Sequence, residues 1–247
     1  MRDWMTSNDV RAAFANQVAY CRANGGTITM RVVEAILANI DGPGVFLKAI
    51  REWQGVPMAD ALPLRAAAGL HALNLTGAEP ALAPLYAGEA DALADAERLV
   101  GEAIARHDAA LLPWLDGPPQ TNEAGRSWGY VAAMLWLAEQ GLPPRWECNE
   151  IGSSAGINLM IDRYRYELGG VGVGPVGSGM RIAPEWHGPR PPEVPPGWGF
   201  ETIWGCDVAP VDLTDPAQLL RLRAFVWREH VERFARLDIA DATGGLH

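Results

Sequence analysis

Asn149-Glu150-Ile151-Gly152-Ser153-Ser154-Ala155-Gly156-Ile157-Asn158-Leu159 is the stretch on which the fold turns. Before it, WECNEI (146–151) carries the short apolar pattern of a strand; after it, INLMIDRYRY (157–166) places Ile157, Met160, Ile161 and Tyr164 on one helical face. Strand, tight glycine turn and helix together form the entry unit of an α/β sheet. The turn itself fits two chemistries. Gly152-Ser153-Ser154-Ala155-Gly156 reads as G-x-S-x-G, the elbow that presents a nucleophilic serine. It also reads as a glycine loop at a helix amino end, where free amides and a positive field receive a ligand.

In the ligand-binding reading, Glu150 ahead of the loop can hold an ammonium group. An acid that ends the next strand, Asp207 in FETIWGCDV (200–208), can take both hydroxyls of a ribose. A nicotinamide or flavin site would prefer G-x-G-x-x-G, which is absent here. The serine-hydrolase reading needs Ser154 on the elbow, then an acid, then a histidine; Asp207, Asp212 or Asp215 followed by His230 gives that order. However, no His-Gly-Gly type oxyanion loop is present, and His230 falls in a pattern that predicts one long helix.

Upstream of the turn, the periodicity predicts helices only. One contains Val10, Phe14, Val18 and Cys21, with Ser7 and Asn8 as capping candidates and Gly25-Gly26 as its stop. Others are predicted at about 29–40, 45–53, 60–75, 89–112 and 125–140. Downstream, residues 169–199 hold sixteen Gly plus Pro, too many for a regular helix or central strand, so this is an excursion with room for one short edge strand near Met180–Ile182. Past Asp207, Thr214 or Asp215 with Pro216 predicts a helix that runs to about Ala240.

Composition narrows the function classes. A formal charge of -10 without a basic cluster argues against nucleic acid. The longest apolar run, Val131–Ala138, is too short to cross a bilayer, and no targeting segment precedes the first helix. Three scattered cysteines, Cys21, Cys148 and Cys206, suggest neither disulfides nor zinc and make the cytoplasm the expected location. Histidine spacing gives no metal motif. Around residue 120 the polar residues Gln120, Thr121, Asn122, Glu123 and Arg126 cluster; Asn122 and Arg126 are candidates to contact a substrate, Arg126 as the fork for a carboxylate, unless Thr121 and Asn122 only cap the next helix. Trp186, Trp198 and Trp204 either line a pocket or pin the excursion.

Four segments taken in order, LPLRAAAGLHALNLTG (62–77), PPQTNEAGRS (118–127), NEIGSSAGINLMIDRYRYELGG (149–170) and GCDVAPVDLTDP (205–216), resemble the bacterial domain-of-unknown-function family 2332. Its glycine segment is similar to the first motif of class I S-adenosylmethionine-dependent methyltransferases, acid-x-G-x-G-x-G. Glu150, Gly152 and Gly156 match that motif, Asp207 matches the ribose-binding acid, and Ser154 stands where the pattern has glycine.

The resemblance implies an α/β fold. A helical amino-terminal region or cap (1–144) would precede a Rossmann-like, methyltransferase-like unit (145–247) that binds S-adenosylmethionine through Glu150, Gly152, Ser153, Ser154, Gly156 and Asp207. The expected partner is a small-molecule acceptor, in a monomer or homodimer, with no general base identified. Fewer residues follow Trp146 than a seven-stranded sheet takes, so the sheet is expected to be abbreviated or the sequence a piece of a longer one. A serine hydrolase using Ser154 and a non-catalytic member of the scaffold remain alternatives.

Overall fold

A computed structural model describes residues 9–242. By its internal contacts the chain divides into two compact units, residues 1–120 with 220–231 and residues 121–219 with 232–247.

The first unit is helical. Its elements are α1 (Val10–Ala23), α2 (Thr27–Ala38), α3 (Val45–Arg51), α4 (Leu62–Leu75), α5 (Ala83–Ala87), α6 (Ala90–Ala94) and α7 (Ala96–Leu111). Phe14, Ile36, Phe46, Ile50, Leu62, Leu70, Leu85 and Ile104 meet in one fully enclosed core. Each such side chain contributes roughly 1.5–3 kcal/mol by leaving water. The cap of α1 is Asp9, whose carboxylate accepts the Ala12 amide at 3.1 Å; the expected caps Ser7 and Asn8 lie outside the described residues. The helix expected over 89–112 is broken at Asp95, whose backbone (φ -98, ψ 13) leaves helical geometry while its carboxylate holds Arg98. Aspartate favours such a break because its short side chain competes for local donors.

In the second unit, α8 (Ser127–Glu139) precedes β1 (Arg145–Ile151), β2 (Arg165–Leu168), β3 (Val171–Val173), β4 (Arg181–Ile182) and β5 (Gly199–Cys206). β1 and β5 run parallel as a two-stranded sheet, with Glu150 opposite Gly205 and Ile151 opposite Cys206. The other three strands form a small sheet in the order β3-β2-β4, and β4 supplies the edge strand expected near Met180–Ile182. The excursion is pinned by aromatic contacts: Trp186 meets Trp128 at 5.8 Å between centroids, and Trp198 meets Trp146 at 6.1 Å. Trp204 instead stands exposed on β5.

Two helices expected from the sequence are absent as such. Residues 157–166 form a 3-10 turn (Ile157–Arg163) kinked at Met160 and then enter β2. The Tyr164 hydroxyl donates to the Ile157 carbonyl and the Tyr166 hydroxyl to that of Ile161 at 3.3 Å, so both buried rings hold the chain in this tighter path. The connection from β1 to β5 therefore contains no α-helix.

Likewise the long helix to Ala240 is two helices, α9 (Pro216–Ala224) and α10 (Val231–Ala242). Between them Phe225 and Val226 are buried in the helical unit, Trp227 lies edge-on to Tyr20, and Glu229 caps α2. These contacts outweigh the helical propensity of the segment. His230 lies in this break and stacks on Trp227 at 5.3 Å.

Among the described residues no helix is long and apolar enough to cross a membrane. The chain is thus a mixed helix and sheet structure, consistent with the expected α/β class.

Candidate functional site

The turn after β1 is tied to the end of β5. The Gly152 and Ser153 amides both donate to the Cys206 carbonyl, at 2.8 and 3.1 Å, and the Val211 amide donates to the Ser154 carbonyl at 3.1 Å. Gly205 allows this approach: a Cβ there would lie 2.9 Å from Ser153 Cβ and 3.1 Å from the Glu150 carbonyl oxygen. Gly152 and Gly156 take left-handed backbone, φ 77 and 67, which glycine adopts without penalty. Ser154 does so at φ 51 with a side chain attached, a conformation that costs a non-glycine residue about 1 kcal/mol or more.

Both predicted acids flank this turn, and they are used differently. Asp207 follows β5 directly; its Oδ2 accepts the Ser154 amide and its Oδ1 the Ala209 amide, each at 2.8 Å. Those amides, Ala209's first, hold its carboxyl below the usual carboxylate range. Glu150 accepts the Asn158 side-chain amide on Oε1 at 2.9 Å, while its Oε2 is enclosed with no hydrogen-bond partner. Ser154 Oγ and Asn158 Oδ1 are likewise enclosed and unpartnered. A carboxylate offers about four acceptor positions, so Asp207 keeps some acceptor capacity despite its backbone bonds to Ser154, Ala209 and Val208.

Of the two substrate candidates, only Asn122 reaches the turn. It is buried and donates from Nδ2 to the Ser153 carbonyl at 2.5 Å, leaving Oδ1 enclosed without a partner. Arg126 is exposed, with no hydrogen bond to the turn. Its neighbour Glu123, whose side chain is 10% exposed, is instead paired with Arg233 and with Arg236 at 2.7 Å. Sequence reasoning missed Asn158, Arg233 and Arg236. The two arginines stand three apart in VERFARL, on one face of α10, a spacing that could have signalled a shared partner.

Among the described residues, none is hydrogen-bonded to Ser154 as a catalytic base would be. Its Oγ contacts no donor or acceptor, and the one described histidine of this unit, His187, is exposed beside Glu185. Among the described residues no group of three or more His, Cys, Asp or Glu side chains is arranged to hold a metal ion.

A family model described as "Uncharacterized protein conserved in bacteria (DUF2332)" matches residues 11–244. The chain belongs to this family. No curated protein and no solved structure matched it. In this DUF2332 member the segments first singled out as resembling the family include both arms of the turn, Glu150–Gly156 and the Asp207 loop.

Proposed function

We propose that this DUF2332 protein binds an adenosyl cofactor, S-adenosylmethionine, at the carboxyl ends of β1 and β5, and acts as a methyltransferase-like protein on a small-molecule acceptor. One observation carries the reading: two adjacent parallel strands bring Glu150, near the end of β1, and Asp207, just after β5, beside a glycine turn, and Glu150 Oε2 is enclosed with its acceptor capacity unused. Open parallel sheets bind ligands at such strand ends. In this reading Glu150 and Asn158 receive the ligand's ammonium group, and the acceptor capacity left on Asp207 takes the ribose hydroxyls. Gly152 and Gly156 let the ligand approach the backbone, with Ser153 and Ser154 completing the wall. Bound S-adenosylmethionine would supply an electrophilic methyl group; the residues named here only orient it, as methyl transfer needs mainly in-line positioning. Both α/β elements belong to a Rossmann-like unit in this reading, with the crossover helix replaced by the 3-10 turn and small sheet.

Thermal shift with S-adenosylmethionine and S-adenosylhomocysteine tests it. The parent should gain several degrees, a gain that Glu150→Ala and Gly152→Val both remove. No gain in the parent rejects the reading, and fluorophosphonate labelling that disappears in Ser154→Ala would put a serine hydrolase in its place.

A further inference from the structure

A second polar cluster in the same unit has no place in the cofactor reading. Glu123 is one of its least exposed carboxylates; Oε1 accepts the Gly125 amide at 2.8 Å and Arg236 Nε at 2.7 Å, and Oε2 pairs with Arg233 Nε. Arg236 crosses closely over the 3-10 turn Ala124–Arg126, since a Cβ on Gly125 would lie 3.2 Å from its Nη2. Burial is the main cause that lowers the Arg233 pKa; the Glu123 carboxylate works against it, and the like charges of Arg126 and Arg236 lower it further. Two guanidiniums thus grip one carboxylate, with the exposed Arg126 a third positive charge close to Arg233, in a chain whose formal charge is -10. A further acid, Glu232, is exposed and reaches Arg236 only at 3.4 Å.

Charge is therefore left over, and so are donors. Arg233 Nη2 is enclosed and meets no acceptor, although its side chain is only 18% exposed. A buried guanidinium with an unused N–H is costly unless an oxyanion meets it, and its planar fork matches carboxylate and phosphate oxygens.

We infer that Arg126, Arg233 and Arg236 form a binding site for a small oxyanion, the carboxylate or phosphate group of a metabolite, with Glu123 as the fixed carboxylate that holds two of the three arginines in place. The exposed Arg126 closes on the anion from the solvent side, while Arg233 Nη2 donates from the enclosed side. The site is independent of the adenosyl cofactor, and an acidic acceptor molecule is the ligand class that it fits.

Calorimetric titration with inorganic phosphate and with acetate, at fixed ionic strength against chloride, tests this. Phosphate or acetate should bind saturably. Binding should weaken about tenfold or more in Arg126→Gln, which removes one exposed donor, and in Arg233→Lys, which keeps the charge but not the fork. Glu123→Gln removes the competing negative charge and should tighten binding, whereas a purely structural ion cluster would lose stability without gaining affinity. Failure of both anions to bind better than chloride, or unaltered binding in both arginine variants, overturns the site. Phosphate binding without acetate binding assigns it to phosphate esters. Neither result depends on whether S-adenosylmethionine binds.

Discussion

The two units treat their enclosed polar groups in opposite ways. In the helical unit, enclosed carboxylates are committed to partners: Asp108 accepts the Val45 and Phe46 amides, each at 2.8 Å, Glu229 accepts the Ile28 and Thr29 amides and the Thr29 hydroxyl, and Glu79 meets Arg106 at 2.8 Å and His107 at 3.1 Å. Arg65 donates to the Asp60 and Leu115 carbonyls at 2.6 and 2.9 Å. Tyr86, whose buried hydroxyl has no hydrogen-bond partner, departs from that pattern. In the α/β unit, by contrast, Glu150 Oε2, Ser154 Oγ, Asn158 Oδ1, Asn122 Oδ1 and Arg233 Nη2 are enclosed and uncommitted. Polar side chains that close helix ends build a scaffold; in the proposed reading the unpartnered polar atoms of the α/β unit are where a ligand belongs.

If the helical unit is built for stability, its one strongly shifted histidine should show it most. His71 is buried against Tyr86, with ring centroids 4.9 Å apart, and its Nδ1 bonds to the Ala224 carbonyl at 3.0 Å. Burial, the main cause, depresses its pKa from 6.5 to about 4. The native state then binds fewer protons than the unfolded chain, so this stability is complete above pH 6.5 and is lost as pH falls toward 4. Urea denaturation should register a loss of about 3 kcal/mol over that window from this group. His71→Asn, which can keep the hydrogen bond to Ala224 without titrating, should flatten that part of the profile; an unchanged slope would show that His71 is not buried neutral.

Next in size is the α2 cap. Glu229→Ala removes a carboxylate that serves two amides and a hydroxyl, and should destabilise the protein by about 2 kcal/mol, the upper range for a cap. A loss within error would mean that the 225–230 segment is not held as described, and the contrast between the units would weaken.

Smallest, and opposite in sign, is the turn. Ser154→Gly relieves a left-handed non-glycine residue and removes an unpartnered buried hydroxyl, so it should raise stability by about 1 kcal/mol. Destabilisation would mean that the hydroxyl has a partner and that the turn is scaffold after all.

The contrast also explains what the sequence revealed. β1, β5, the glycine turn and most of α1–α8 were legible because apolar period and glycine placement act locally. Residues 157–166 have helical spacing, yet the Tyr164 and Tyr166 hydroxyls fix a 3-10 turn and a strand through contacts that spacing does not encode. The break between α9 and α10 was hidden for the same reason, since Glu229 acts on an α2 end two hundred residues earlier. In the site, Glu150 and Asp207 were legible as acids at strand ends, and Asn122, expected to contact a substrate, hydrogen-bonds to the turn. Arg126 did not, because Glu123 drew Arg233 and Arg236 to that loop while Arg126 stayed exposed.

Amide hydrogen exchange with and without S-adenosylhomocysteine compares the two units in a single measurement. A ligand site at the strand ends predicts slower exchange at 150–158 and 207–211, with 27–38 and 62–75 unchanged. Exchange at 150–158 that stays the same at millimolar ligand would contradict the central claim.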